Sequence, residues 1–119
     1  MEITLTIINS KGIATIASDQ IVVNHPDDAL DILGNCGYQG AVGIILQEQQ
    51  ITPEFFDLRT GIAGEILQKF STYQMKLAIV GNFEKYSSKA LKDFIYESNK
   101  AGRINFVADV EEAKARLCK

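Results

Sequence analysis

Two short runs of apolar residues constrain the fold more than any other feature of this sequence. They are Ala41–Leu46 and Leu77–Gly81. Neither alternates between apolar and polar residues, as a strand with one solvent-exposed face does. A strand without that alternation is typically buried on both faces, as in a parallel sheet that helices cover. The sequence therefore predicts an α/β fold that contains these two strands.

The N-terminal segment predicts an antiparallel hairpin. Glu2–Ile8 alternates between apolar and polar residues, as a half-buried strand does. A turn at Asn9–Gly12 follows, in which Gly12 is expected to adopt a positive φ angle. Ile13–Ile16 can then pair back on the first strand.

Four helices and one further strand complete the chain. The first helix begins at Pro26 and ends at Gly37, and its apolar stripe contains Ala29, Leu30, Leu33 and Cys36. Apolar residues at helical spacing predict three more helices. The second extends to Phe70, and the third begins after Ser87 or Ser88 and ends at Gly102. The fourth follows a predicted capping box of Asp109 and Glu112. The last strand is Ile104–Ala108. The predicted order is β-β-α-β-α-β-α-β-α, in a single domain over residues 1–119.

Composition and charge exclude several classes of function. Of 119 residues, 12 are Lys or Arg and 15 are Asp or Glu, and the basic residues form no dense stripe, so nucleic-acid binding is disfavoured. No apolar run is long enough to cross a bilayer, and the start of the chain does not resemble a signal peptide. We expect a cytoplasmic protein with reduced Cys36 and Cys118, no bound metal and no cofactor. Since no motif of a known catalytic class is present, the sequence favours a non-enzymatic role without deciding it.

The most distinctive segment is Thr52–Phe70, TPEFFDLRTGIAGEILQKF, which follows a buried strand and leads into a helix. Thr52 and Pro53 are expected to begin a short helix. Two interpretations of Asp57, Arg59 and Thr60 stay open. These residues can bind an anion or accept a phosphate at a helix start, or they can cap that helix and pair with each other.

Gly61 and Gly64 are spaced as GxxG within this segment. A glycine inside a helix costs about 1 kcal/mol relative to alanine, so we expect either close packing of the helix or a surface kept bare for a partner.

A second polar loop, Gly81–Ser88, follows the next buried strand. Asn82, Lys85 and Ser87 belong to it, and the carboxyl ends of neighbouring parallel strands lie at one edge of a sheet. These side chains can therefore share one polar pocket with Thr60, or they can be a solvated loop with a serine cap.

The element order resembles that of STAS domains, the group of the bacterial anti-sigma-factor antagonists. In those proteins a strand is followed by Asp-Ser-Ser-Gly-Leu-Gly at the start of a helix, and a Ser of this motif is phosphorylated. The similar segment here is Phe56–Gly64, FDLRTGIAG, in which Thr60 precedes Gly61 as that Ser precedes Gly. The resemblance implies a STAS-like fold and phosphorylation of Thr60. One more residue separates Asp57 from Gly61 than in the STAS motif.

At the level of residues, the chain resembles the bacterial family called domain of unknown function 4180. The similar stretches are LDILGNCGYQG, TPEFFDLRTGIAGEILQKF, KLAIVGNF and LKDFIYESN, which together cover most of the chain. This resemblance implies a fold and a bacterial source, and it implies no particular activity.

Two functions follow as hypotheses. The first is a regulatory domain that binds a protein partner and responds to phosphorylation or to a small anion near Thr60. The second is a small-ligand sensor or weak enzyme that uses a polar pocket at the carboxyl ends of the strands. The open edge of the hairpin also predicts a homodimer.

Overall fold

The computed structural model describes all residues from Met1 to Lys119, which form one five-stranded sheet and four helices. The strands are β1 (Glu2–Ile8), β2 (Lys11–Ala17), β3 (Ala41–Gln47), β4 (Lys76–Val80) and β5 (Ile104–Val107), and they lie side by side in chain order. β1 and β2 pair antiparallel, and the other three pairs are parallel. The predicted α/β class and the antiparallel N-terminal hairpin are confirmed.

The helices are α1 (Pro26–Tyr38), α2 (Ile62–Thr72), α3 (Lys89–Ala101) and α4 (Val110–Leu117). Three short 3₁₀ helices, Glu48–Gln50, Pro53–Phe56 and Leu58–Thr60, lie between β3 and α2. None of the four helices combines the length and the apolar content that a membrane crossing needs.

The helices divide between the two faces of the sheet. Helices α1, α2 and α3 pack on one face in a core of 22 buried residues, and α4 packs on the other face in a core of seven. Ile44 and Leu46 belong to the first core and Ile45 belongs to the second. This two-sided burial is the reason why the sequence of β3 does not alternate.

The helices that follow β4 and β5 lie on opposite faces of the sheet. After β4 the chain continues into α3 on the first face, and after β5 it continues into α4 on the second. The two loops therefore diverge at the carboxyl ends of adjacent parallel strands. Such a divergence is a topological switch point, where open α/β sheets form a crevice.

The hairpin turn differs from the prediction. Positive φ angles occur at Asn9 (51°) and Ser10 (67°), as in a two-residue type I′ turn, and not at Gly12. Gly12 serves another purpose, because a Cβ atom there would lie 2.6 Å from the carbonyl oxygen of Gly40. The prediction of a positive φ angle at Gly12 is therefore wrong, and a close approach of two backbone segments explains this glycine.

The end of α1 was also predicted wrongly. The helix continues through Gly37 to Tyr38, and the left-handed residue that follows is Gly40, with a φ angle of 95°. Ile32 is buried in the helix stripe, whereas Leu30 is 36% exposed. In contrast, the predicted stop at Gly102 is confirmed by its left-handed conformation.

The predicted cap of α4 by Asp109 is confirmed, whereas Glu112 binds the residue before the cap and not the cap itself. The Asp109 carboxylate accepts from the N–H of Glu112 at 2.8 Å, and the Glu112 carboxylate accepts from the N–H of Ala108 at 3.1 Å. The first bond satisfies a backbone donor that the first turn of the helix leaves free, and the second holds the residue that precedes the cap. They also fix the start of α4 next to the end of β5.

Candidate functional site

Four of the seven predicted site residues line three separate depressions of the surface: Asp57 and Arg59 line one, Lys85 a second and Asn82 a third. Asp57, Arg59, Thr60 and Gly61 lie at the start of α2, Lys85 lies beside the end of β3, and Asn82 lies between the ends of β4 and β5. Ser87 is exposed, and its neighbour Ser88 caps α3 by accepting from the N–H of Leu91 at 3.2 Å. The structure therefore does not bring these seven residues into one pocket.

Asp57 and Arg59 form a two-bond ion pair at the start of α2. The guanidinium Nε and Nη2 atoms each donate to one carboxylate oxygen of Asp57 at 3.0 Å. These hydrogen bonds lower the pKa of Asp57 and raise the pKa of Arg59. The Arg59 side chain is 91% exposed, so the pair contributes little to stability. Its effect is to hold the guanidinium in one orientation at the surface.

The hydroxyl group of Thr60 connects three segments. The hydroxyl donates its proton to two carbonyl oxygens, that of Glu54 at 2.8 Å and that of Asp57 at 2.9 Å. The hydroxyl oxygen also accepts from the N–H of Ile62 at 3.2 Å. Gly61 follows with a φ angle of 76°, a left-handed conformation that favours glycine. Thr60 thus joins the second and third 3₁₀ helices to the first turn of α2.

The two glycines of the GxxG segment are not closely packed. A Cβ atom at Gly61 or Gly64 would meet no atom within 4 Å. The prediction of close helix packing is therefore wrong for both positions. Gly61 is explained by its backbone conformation, whereas nothing within the chain explains Gly64, and a bare surface for a partner stays a prediction there.

Lys85 is bound to Glu48, a residue that the sequence analysis missed. The Glu48 carboxylate accepts from Lys85 Nζ at 2.8 Å and from the Tyr86 hydroxyl, and its side chain is only 11% exposed. Burial and the Glu48 carboxylate raise the pKa of Tyr86. The Tyr86 ring stacks on Phe56 with 5.1 Å between ring centroids. The position of Glu48 immediately after a buried strand was the signal that could have found it.

A cleft of about 500 Å³ opens at the switch point between β4 and β5. We call it the switch-point cleft. It is lined by the loop after β4, by one side of α3, by the end of β5 and by the first turn of α4. These residues are Gly81, Asn82, Phe83, Glu84, Lys92, Ile95, Asn99, Phe106, Val107, Ala108 and Glu112.

Some polar groups of the switch-point cleft already have partners. Asn99 accepts from the N–H of Phe106 at 2.7 Å and donates to its carbonyl oxygen at 3.2 Å. The Glu112 carboxylate accepts from the N–H of Ala108 and lies 3.6 Å from Arg116 Nε. These contacts fix the positions of both side chains in the wall of the cleft.

Other polar groups of the cleft are free. Lys92 and Glu84 take part in none of the four ion pairs of the molecule. Asn82 uses its side-chain oxygen to accept from the N–H of Glu84 at 3.2 Å, which leaves its amide NH₂ group available. These three free groups are one cation, one anion and one neutral donor, and the apolar side chains of Phe83 and Ile95 line the same cleft.

The remaining reactive groups of the chain do not form a site. Cys36 is fully buried in the first core, and this burial raises its pKa to about 11. A thiol with so high a pKa carries almost no thiolate near neutral pH, so Cys36 is a structural residue of the first core. No group of three His, Cys, Asp or Glu side chains is placed to hold a metal ion.

The fold and the cleft define the molecule as an α/β protein with a mixed five-stranded sheet and a crevice at its switch point. The sequence model of the family described as Domain of unknown function (DUF4180) matches residues 8–117. The chain belongs to this family, which confirms the resemblance drawn from its residues. No curated protein and no solved structure matches the chain.

Proposed function

We propose that the protein binds a small organic molecule in the switch-point cleft and acts as a non-enzymatic sensor of that molecule. The observation that supports this function is the position of the cleft. It lies at the carboxyl ends of two parallel strands whose loops diverge, which is where open α/β folds bind ligands. Its volume of about 500 Å³ lies within the range of small-molecule sites.

The free groups of the cleft favour a zwitterion that has an apolar part. Lys92 can pair with a carboxylate of the ligand, and Glu84 can pair with an ammonium group. The apolar part would then pack against Phe83 and Ile95, which are half-buried. A molecule of the amino-acid class has this combination of groups.

Thermal denaturation tests the proposed ligand class. We expect a compound that carries both charges to stabilise the protein, by about 2.7 kcal/mol at 100 times its dissociation constant. Plain carboxylates and plain amines of the same size should stabilise it less, because each satisfies only one of the two charges. A panel without any response from zwitterions would contradict the proposal.

Three variants locate the binding site. Lys92→Gln should weaken the response to carboxylate-bearing compounds, and Glu84→Gln should weaken the response to amines. Lys100→Gln is the control, since Lys100 is also exposed on α3 but does not line the cleft. Equal responses from all three variants would place the binding elsewhere on the molecule.

A second function is supported by a separate observation, the three-way contact of the Thr60 hydroxyl. We propose that phosphorylation of Thr60 regulates binding of a protein partner at the start of α2. The residue is exposed, yet its hydroxyl holds Glu54, Asp57 and Ile62 together. A phosphate would remove the hydroxyl donor and place negative charge beside two carbonyl oxygens, so this surface would rearrange. The resemblance to STAS domains supports the same position.

Hydrogen exchange tests this regulatory function. In Thr60→Glu we expect the amides of residues 54–62 to exchange roughly tenfold faster than in the wild type, because a lost cap costs about 1 to 2 kcal/mol. Thr60→Ser keeps the hydroxyl and should exchange as the wild type does. If Thr60→Glu were as protected as Thr60→Ser, charge at this position would not alter the surface.

A further inference from the structure

The two edges of the sheet differ in their backbone hydrogen bonding. At the β5 edge, the N–H and the carbonyl group of Phe106 point away from the sheet, and Asn99 of α3 binds both. This arrangement closes the edge to other strands. At the other edge, β1 is seven residues long and contains neither proline nor lysine.

The hairpin geometry shows which backbone groups of β1 are free. Ile8 faces Lys11 beside the two-residue turn, so Ile8, Thr6 and Thr4 direct their N–H and carbonyl groups toward β2. The alternate residues Ile3, Leu5 and Ile7 direct theirs away from the sheet. Ile7 also leaves 64% of its surface exposed, although it is a strongly apolar residue.

We propose that β1 is a homodimer interface, in which it pairs antiparallel with β1 of a second copy and Leu5 lies opposite Leu5 across a two-fold axis. This register places Ile3 opposite Ile7 of the second copy and Thr4 opposite its Thr6. The free backbone groups of Ile3, Leu5 and Ile7 then all form inter-strand hydrogen bonds. The result is a continuous ten-stranded sheet.

The side chains of β1 are self-complementary in this register. Ile3, Leu5 and Ile7 share the face that packs with α1, and in the dimer they meet only isoleucine and leucine. Glu2 is the one charged residue of the strand and faces Ile8 of the second copy, so no like charges meet. A two-fold axis perpendicular to the sheet keeps this face on the same side in both copies. A second copy therefore fits this edge in backbone hydrogen bonding, polarity and charge.

Sedimentation velocity over a range of protein concentrations tests the dimer. We expect a monomer–dimer equilibrium in the wild type, and a dimer dissociation constant at least about tenfold higher in Ile7→Lys. Tyr96→Lys is the control, because Tyr96 is 65% exposed on α3, far from the β1 edge, and should leave the equilibrium unchanged. A wild type that stays monomeric at every concentration would overturn the proposal. Equal changes of the dimer dissociation constant in Ile7→Lys and Tyr96→Lys would also overturn it.

A disulfide experiment tests the register. In a Cys118→Ser background, a mixture of Thr4→Cys and Thr6→Cys chains should form a crosslinked dimer with a thiol oxidant, because these positions face each other as a non-hydrogen-bonded pair with close Cβ atoms. Either variant alone should crosslink much less. Both positions lie outside the two cores, so neither variant depends on repacking them. Equal crosslinking in the mixture and in the single variants would overturn the proposed pairing.

Discussion

Replacing Phe106 with alanine is expected to lower the free energy of unfolding by about 3 to 5 kcal/mol. Phe106 is only 5% exposed and lies on β5, where its ring contacts Phe83 and Phe94 with centroid distances of 5.2 and 6.0 Å. Alanine would leave a cavity where these edge-on ring contacts meet. Chemical denaturation followed by circular dichroism measures the loss.

The matched control for this prediction is Tyr96→Ala. Tyr96 is an aromatic residue of the neighbouring helix α3, and it is 65% exposed. Its replacement should change the free energy of unfolding by less than about 0.5 kcal/mol. A loss in Phe106→Ala no larger than in Tyr96→Ala would mean that the aromatic cluster contributes little to stability.

Phe106 also connects the stability of the fold with the proposed ligand site. Its ring lines the switch-point cleft, and its backbone groups are the ones that Asn99 binds. Phe106→Leu keeps an apolar side chain in the same place but changes the wall of the cleft. We therefore expect the leucine variant to fold and to bind ligands with altered preference, which separates the two roles of the residue.

Features that depend on neighbouring residues in the chain could be predicted from the sequence. The caps at Thr52, Ser88 and Asp109 each need only a side-chain oxygen and an amide two or three residues later, and all three are present. The strands β3 and β4 could be predicted for a related reason, because a strand that is buried on both faces consists of a continuous run of apolar residues.

Features that depend on distant segments could not be predicted. Gly12 is required by the approach of Gly40, which is far away in the chain, and no local pattern carries that information. The separation of the site residues has a similar cause. The Phe83 ring packs against both Phe56 and Phe106, with centroid distances of 6.0 and 5.2 Å. Phe56 lines the depression that contains Lys85, whereas Phe83 and Phe106 line the switch-point cleft. Side-chain packing of this kind emerges only in the folded structure.

Replacing Gln50 with methionine is expected to lower the free energy of unfolding by about 2 to 4 kcal/mol, although the side chain keeps its volume. Gln50 is 2% exposed. Its amide oxygen accepts from the N–H of Gln47 at 2.8 Å, and its amide NH₂ donates to the carbonyl oxygens of Ile16 and Ser18 at 3.2 and 3.1 Å. Methionine would leave these three backbone groups without this side-chain partner, so the link that the Gln50 amide makes between the ends of β2 and β3 would be lost.

The adjacent residue supplies the control. Gln49 is exposed in the same 3₁₀ helix, so Gln49→Met should change the free energy of unfolding by less than about 0.5 kcal/mol in the same denaturation experiment. Similar losses in both variants would show that the helix, and not the buried hydrogen bonds, is sensitive to methionine.

Gln50→Glu adds a dependence on pH whose sign follows from burial. The introduced carboxyl group would be buried among backbone carbonyl oxygens, which raises its pKa in the folded state above the value of about 4.3 in the unfolded chain. Below that unfolded pKa the group is neutral in both states, and the acid proton can still donate to one carbonyl oxygen. As pH rises above it, the unfolded chain releases a proton that the folded chain retains, so the variant loses stability relative to the wild type. A difference between variant and wild type that stayed constant with pH would mean that residue 50 reaches water.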